Sequence, residues 1–192
     1  MNSKDKYLLK EIPETINTKR VTIRRYQRGD GEAIFCFAER NDNRKHLAGT
    51  ADDIANLKSV EEAEVNALKH RAEWAIRDRF VAGVWIEEKF VGEIWIEPVN
   101  WDVPCFEIGW FIDKGLEAEG FAYEAADACV KFVFNELNAH KIIAKTSDTN
   151  ERSSKLAVRL GFSEEGHLRD SEIKDGDRRG TLLYGYIRRD SK

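Results

Sequence analysis

This 192-residue chain is poor in the residues that hold metals, with three cysteines and four histidines. Cys36, Cys105 and Cys129 are odd in number, lie far apart and form no CxxC pair. Thiols kept reduced in a cytosol are the simplest reading, and a cytoplasmic location follows from it. His46, His70, His140 and His167 show no metal-ligand spacing, so no metal is expected. No stretch approaches the roughly 20 apolar residues of a membrane span. The opening MNSKDKYLLKEIPET lacks the apolar run of a secretion signal. Neither charge dominates: 31 Lys and Arg stand against 35 Asp and Glu, a net charge of −4. Without a basic excess, nucleic acid is not expected as the main partner, and no membrane is expected either. Mild acidity would suit a cationic substrate, although it serves solubility equally well. There is no internal repeat and no low-complexity linker.

With 42% hydrophobic residues the chain can fill one core and is too short for two comfortable domains. RVTIRRY, from Arg20 to Tyr26, alternates apolar and charged residues as a strand with one wet face does. GDGEAIFCFAER opens a helix with Asp30 as its N-cap. Asn41 to Asp53 reads as loop. SVEE at Ser59 is a capping box ahead of apolar positions Val60, Ala63, Ala67, Ala72 and Ile76, which predicts a helix to Arg77. FVAGVWIEEKFVGEIWIEPV is a hairpin around Glu87–Lys89, with Glu93 and Glu97 on its solvated face. CFEIGWFID is a third strand, and Gly109 marks a bulge or close backbone approach in it. Gly120 to Leu137 has helical spacing at Ala122, Ala126, Val130, Val133 and Leu137. KIIAKTS is a strand, NERSSKLAVRLGF a short helix, and the remainder two strands around a turn at Asp175–Gly176. Trp85, Trp95 and Trp110 are expected in core packing. The order predicts an α/β (α+β) architecture: one mixed, mostly antiparallel sheet of about seven strands with helices on both faces.

Two segments carry chemistry. Lys114 to Ala122 opens a helix, whose first-turn N–H groups are unpaired and carry partial positive charge. A glycine there lets an anionic group reach those amides, although a tight strand-to-helix turn would use the same residue. In NERSSKLAVRLGF, Asn150 stands at the helix mouth with Ser153 three places on, and Leu160-Gly161-Phe162 ends it. Capping alone would account for Asn150, and Gly161 suits the residue after a helix end.

Together these segments resemble the Gcn5-related N-acetyltransferase (GNAT) family, in particular its ribosomal-protein N-terminal acetyltransferase branch. Glu117, Gly120 and Ala122 fill the slots of that family's acetyl-CoA loop, followed by Tyr123-Glu124-Ala125. Asn150, Ser153, Leu160-Gly161-Phe162 and Glu165-Gly166 match its later motif in register. Thr18-Lys19-Arg20-Val21 looks like the entry into its first strand, and Glu107-Ile108-Gly109-Trp110 like its Glu-Ile-Gly-aromatic strand. The likeness runs over about residues 14–188. It implies a polar lead-in at residues 1–13 and a single acetyltransferase domain at 14–192.

The resemblance implies a transferase that moves an acetyl group from acetyl-CoA, used as co-substrate, to a primary amine. The leading acceptor is a protein N-terminal α-amine. A polyamine, an aminoglycoside or another small amine is the alternative, and a non-catalytic acyl-CoA-binding module is a third. Cofactor contacts would come from Ile108, Gly109, Trp110, Glu117, Gly120, Phe121, Ala122 and Asn150. Backbone amides near Ile108 to Trp110 would hold the thioester oxygen. Ser153 would protonate the departing sulfur, with Ser154 ranked below it. Glu172, ten residues past Phe162, would act as base directly or through water. Glu117 is acidic where the family prefers Gln or Arg, and Glu119 adds a second carboxylate that Lys114 could partly offset. His46 lies in the substrate-side loop, Tyr184 near the acceptor end, and relatives of this kind allow a homodimer.

Overall fold

The structure is a computed structural model and describes residues 3–174 and 176–190. Its elements run α1 (Ser3–Leu8), β1 (Thr15–Asn17), β2 (Thr22–Arg25), α2 (Gly31–Glu39), α3 (Asn43–Leu47), α4 (Asp52–Ala55) and α5 (Val60–Ala75). Then come β3 (Phe80–Ile86), β4 (Lys89–Asn100), β5 (Cys105–Ile112), α6 (Phe121–Asn135), β6 (Lys141–Ser147), α7 (Glu151–Arg159), β7 (Ser163–Lys174) and β8 (Asp177–Ile187). Eight strands build a mostly antiparallel mixed sheet, with seven α-helices among the described residues. The strand beyond the expected seven is β1, which pairs antiparallel with β2. The turn predicted at Asp175–Gly176 falls partly outside the described residues, since Asp175 is not among them.

The chain divides into two compact units: residues Met1–Ile96 with Trp110–Cys129, and Glu97–Gly109 with Val130–Lys192. In the first, β1, β2, β3 and β4 are antiparallel neighbours. Their core joins Tyr26, Trp85 and Phe90 to Ile34 and Phe37 of α2, Ile54 of α4, and Ala63 and Ala67 of α5. The lead-in is ordered as well. Arg77, at a left-handed φ of 59°, donates to the carbonyls of Tyr7, Lys10 and Trp74 and so ties α1 to the end of α5.

Asp30 precedes α2 as expected, yet its side chain makes no capping bond. Its carboxylate is taken by both Arg24 Nη atoms at 2.8 Å and by the Gln27 amide. The helix mouth is served by Glu64 of α5, which accepts from the Gly29 and Gly31 amides. A Cβ at Gly31 would stand 2.6 Å from the Glu64 backbone nitrogen, so glycine is what lets α2 and α5 approach. Ser59 does cap α5, accepting from Glu62 N–H. The buried face of α5 is Ala63, Ala67, His70 and Trp74, while Val60 and Ile76, expected inward, are 38% and 52% exposed.

In the second unit β6 pairs antiparallel with β8, and β8 with β7. Phe106, Ile108, Val133, Leu137, Ile142, Ala144 and Phe162 are buried there. Tyr186 meets Phe134 and Phe162 edge-on at centroid distances of 5.1 and 5.5 Å.

Glu93 corrects the sequence reading most sharply. It was expected on a wet face and is 4% exposed, accepting from the Tyr26 hydroxyl. The alternation is real, but α5 covers the face that it was assigned to solvent. Burial pushes the Glu93 carboxyl up to about 7, against the lowering pull of nearby His70. His70, 5% exposed, has Nδ1 2.9 Å from Glu73 Oε2 and Nε2 3.3 Å from Asp53 Oδ2. Burial alone would lower its pKa; the Asp53 and Glu73 bonds and the Glu93 charge raise it on balance.

Both groups hold a proton longer in the folded than in the unfolded chain, so both remove stability as pH rises. For Glu93 the window runs from its ordinary value of 4.5 to about 7, a displacement worth roughly 3 kcal/mol. Glu93→Gln keeps an acceptor for Tyr26 and removes the titration. Denaturant unfolding should show the variant gaining roughly 3 kcal/mol on the parent between pH 5 and 8; a difference that stays flat across that range would contradict this reading of the cluster.

Candidate active site

In the first unit the residues singled out from sequence gather on the turn that leads into α6. Asp113, fully buried, follows β5 and donates its amide to Val91 O at 2.7 Å. Its carboxylate accepts from Arg40 Nε at 2.6 Å and from Asn41 Nδ2 and the Gly115 amide at 2.9 Å. Burial would push this carboxyl up, but these three donors hold it below the usual carboxylate range. The Lys114 amide reaches buried Asn43 Oδ1 at 2.9 Å. Residues Arg40 to Asn43 therefore frame the 3₁₀ turn Lys114–Leu116. The Lys114 ammonium faces Asp42 at 3.2 Å, which corrects its expected role of offsetting the acids of the turn. Glu117 instead lies 3.6 Å from His46 Nε2, so the loop histidine sits beside the acid in the phosphate slot.

Gly120 has a left-handed φ of 84°, and a Cβ there would meet only Arg20 Nη2, at 3.4 Å. The first helical bond of α6 is Glu124 N–H to Gly120 O at 3.0 Å, so the Phe121 and Ala122 amides precede the ladder. Arg20 fixes this mouth. Its Nη1 donates to Glu119 O at 3.0 Å, and its guanidinium lies 4.3 Å from the Phe121 ring centroid. Its Nε and amide donate to Glu124 at 2.6 and 2.8 Å, and Thr18 Oγ1 adds a third donor at 2.7 Å. The Thr-x-Arg entry and the Glu-Ala continuation, two separate marks of the resemblance, are thus one contact. Trp110, also in this unit, is half-buried, as is Trp95, while Trp85 is buried at 3% exposure.

In the second unit β5 and β6 run parallel over only three pairs, Cys105–Glu107 against Lys141–Ile143. Beyond them β6 continues paired with β8 alone to Ser147, and Ile108 and Gly109 lie past the last β5–β6 pair. The Glu107 carboxylate is held by Lys145 Nζ at 2.7 Å. Asn150 caps α7, its Oδ1 accepting from the Ser153 amide at 3.1 Å. Ser154 Oγ is used locally, donating to Asn150 O at 3.2 Å, whereas Ser153 Oγ bonds to nothing among the described residues. Gly161, at φ 100°, ends the helix, and Phe162 behind it is buried. Glu172 lies exposed on β7 and accepts from Thr181 Oγ1 at 2.6 Å. Tyr184, expected near the acceptor, is core, 3% exposed.

The model of the acetyltransferase (GNAT) domain matches residues 20–163. The chain belongs to the GNAT acetyltransferase family. Among GNAT relatives, the uncharacterized N-acetyltransferase YnaD of Bacillus subtilis is 25% identical over 160 residues, covering 80% of this chain and 85% of its own. The [ribosomal protein uS5]-alanine N-acetyltransferase of Escherichia coli is 32% identical over 76 residues, 40% of this chain and 39% of that enzyme. The solved RimL ribosomal L7/L12 α-N-protein acetyltransferase in complex with coenzyme A superposes with a TM-score of 0.80 at 18% identity, covering 91% of this chain and 98% of that one. That likeness is one of fold, and it includes the GNAT sheet described above. Among the described residues no cluster of three or more His, Cys, Asp or Glu could hold a metal ion, and no helix is long and apolar enough to cross a membrane.

Arg20 anchors the α6 mouth, a role that its place in the Thr-x-Arg motif alone does not reveal. The signal was available in the pairing of a lone Arg in one motif with a lone Glu in another. Glu124→Ala should cost about 1–3 kcal/mol, because it strands three donors at a half-buried site, while Glu124→Gln, which keeps an acceptor, should cost under about 1 kcal/mol. Urea unfolding of both variants checks this; equal costs would show that the charge, not the hydrogen bonding, fixes the turn.

Proposed function

We propose that this GNAT protein transfers an acetyl group from acetyl-CoA to a primary amine, with the α-amine of a protein N-terminus as the acceptor class. The observation that carries the reading is the three-residue β5–β6 pairing, which leaves the backbone of β5 from Ile108 onward without a β6 partner. The turn before α6 fits a pyrophosphate: Gly120 leaves room for it, and the amides of Phe121 and Ala122 precede the helical ladder. Glu117 is the misfit there, and its proximity to His46 moderates its charge whenever that imidazole is protonated. Acetyl-CoA supplies the acetyl group as a thioester. The E. coli relative is a [ribosomal protein uS5]-alanine N-acetyltransferase, and a protein acceptor of that kind supports the α-amine over a small amine.

The residues divide the work. Backbone amides of Ile108, Gly109 and Trp110 orient the carbonyl to be attacked. Amides at Gly120, Phe121 and Ala122 hold phosphate, with Glu117 at the edge of that turn. Asn150 keeps the α7 mouth in shape through its cap, and Ser153, whose hydroxyl is not committed elsewhere, gives a proton to the departing sulfur. An α-amine, with an ordinary pKa near 8, is mostly protonated at neutral pH. Glu172 removes that proton directly or through a held water, and Thr181 Oγ1 fixes the carboxylate's direction. Glu107 is a poorer base because Lys145 already engages it.

Two outcomes follow. Acetyl-CoA at a hundredfold excess over Kd should raise unfolding free energy by about 2.7 kcal/mol. Gly120→Asp should abolish that gain, while its left-handed φ costs the unliganded fold about 1–2 kcal/mol without unfolding it; no shift in the parent refutes the cofactor assignment. With an amine that turns over, Ser153→Ala should lower kcat by about 10²–10⁴-fold with acetyl-CoA affinity unchanged. Glu172→Gln should steepen the rise of rate with pH between 6 and 9, since the amine must then arrive neutral. Near-parental rates in both variants across that range would remove these assignments.

A further inference from the structure

The second unit contains a polar pair that the proposed chemistry does not use. His167 lies on β7 and Asp148 just beyond β6, with β8 between those strands. Their side chains meet across β8: His167 Nε2 is 3.0 Å from Asp148 Oδ2. They meet because residue 180 is glycine. A Cβ built there would stand 2.2 Å from His167 Nε2 and 2.5 Å from Asp148 Oδ2, so the pair occupies the space of the missing side chain. The Gly180 amide donates to the same Asp148 oxygen at 2.9 Å, and the Asp148 amide returns a bond to Gly180 O at 2.8 Å.

What this pair holds is the entry to α7. After Asp148 comes Thr149, whose hydroxyl accepts from Arg179 Nη1 at 2.7 Å, then Asn150, whose amide bonds Ser147 O at 2.9 Å and whose side chain caps the Ser153 amide. The next residue of β8 faces the other way, as strand residues alternate, and Thr181 there directs Glu172. The dipeptide Gly180–Thr181 thus touches the supports of both groups assigned to proton transfer. The His167 side chain is 41% exposed, so the pair sits at the surface and not in the core.

We propose that His167 and Asp148 form a clasp over Gly180 that positions the mouth of α7, and through it the Ser153 hydroxyl, for proton delivery. This rests on the acetyl-transfer reading given above. Neither residue touches substrate; both are positioning residues. Displacing a catalytic group by about an ångström can cost up to a hundredfold in rate, whereas losing one exposed hydrogen bond costs the fold little.

The test compares His167→Ala, Asp148→Ala, the double variant and His167→Gln, which retains an N–H donor for Asp148. With acetyl-CoA and an N-terminal-alanine peptide, each alanine variant should lose about tenfold in kcat or more, with KM for acetyl-CoA within about twofold of the parent. The double variant should lose no more than the more severe single one, and His167→Gln should recover to within about threefold of the parent. In parallel, amide hydrogen exchange without any ligand should quicken about tenfold at Ser153 and Ser154 in His167→Ala and stay parental in His167→Gln. Parental kcat in His167→Ala, or a glutamine variant as slow as the alanine one, overturns the proposal. If the parent itself turns over no amine, the acetyl-transfer reading fails, and exchange still decides the clasp: unchanged protection at Ser153 and Ser154 removes it.

Discussion

The parallel pairing of β5 with β6 is three residues long, and the arrangement of the rest follows from that brevity. Parallel neighbours cannot be joined by a tight turn; the chain must leave the sheet and return through a crossover. Here the crossover is the framed turn after Asp113 followed by α6, and its price is a helix mouth with unspent amides. Because the pairing stops at Glu107 and Ile143, backbone donors of β5 past that point have no β6 partner. A sheet would normally complete such a ladder, since unpaired backbone groups away from water are costly.

The two compact units handle polar groups differently. The first buries them. Asp113 is satisfied by three donors and Glu124 by three, and both are held below the ordinary carboxylate range, with hydrogen bonds outweighing burial. Glu93 lacks that support and is pushed up to about 7. The contrast is a matter of donor count: three aimed donors offset desolvation, and one tyrosine hydroxyl beside a histidine does not. In the second unit Glu172 and His167 are exposed and Ser153 is half-buried, while Thr181 is 8% exposed.

Periodicity made most elements legible. The capping box at Ser59, the hairpin around Glu87, the helix mouth at Gly120 and the termination at Gly161 all lie where local chemistry put them. So do Asn150 as cap and the unengaged Ser153 hydroxyl, because spacing within one helix is a local matter. What could not be read locally was which face a neighbour covers. Glu93 alternates with Ile94 as a wet residue would, and α5 buries it. His70 is core although it is polar, Trp74 continues the spacing of Ala63 and Ala67, and Val60 and Ile76 stay outside although they are apolar. Asp30 occupies the capping position but is claimed by Arg24, six residues before it on β2, a pairing that a capping rule does not consider. The short helices α3 and α4, read as loop, depend on packing under α2 and α5 more than on any propensity of their own.

The central claim is that this chain acetylates an amine at the start of a polypeptide. The most direct measurement is mass spectrometry of a peptide with a free N-terminal alanine and an internal lysine, incubated with the protein and acetyl-CoA. The account predicts a single acetyl group, located by fragmentation on the alanine nitrogen and absent when that nitrogen is blocked beforehand. Acetylation confined to the lysine, or to spermidine added in competition while the peptide stays unmodified, would contradict it.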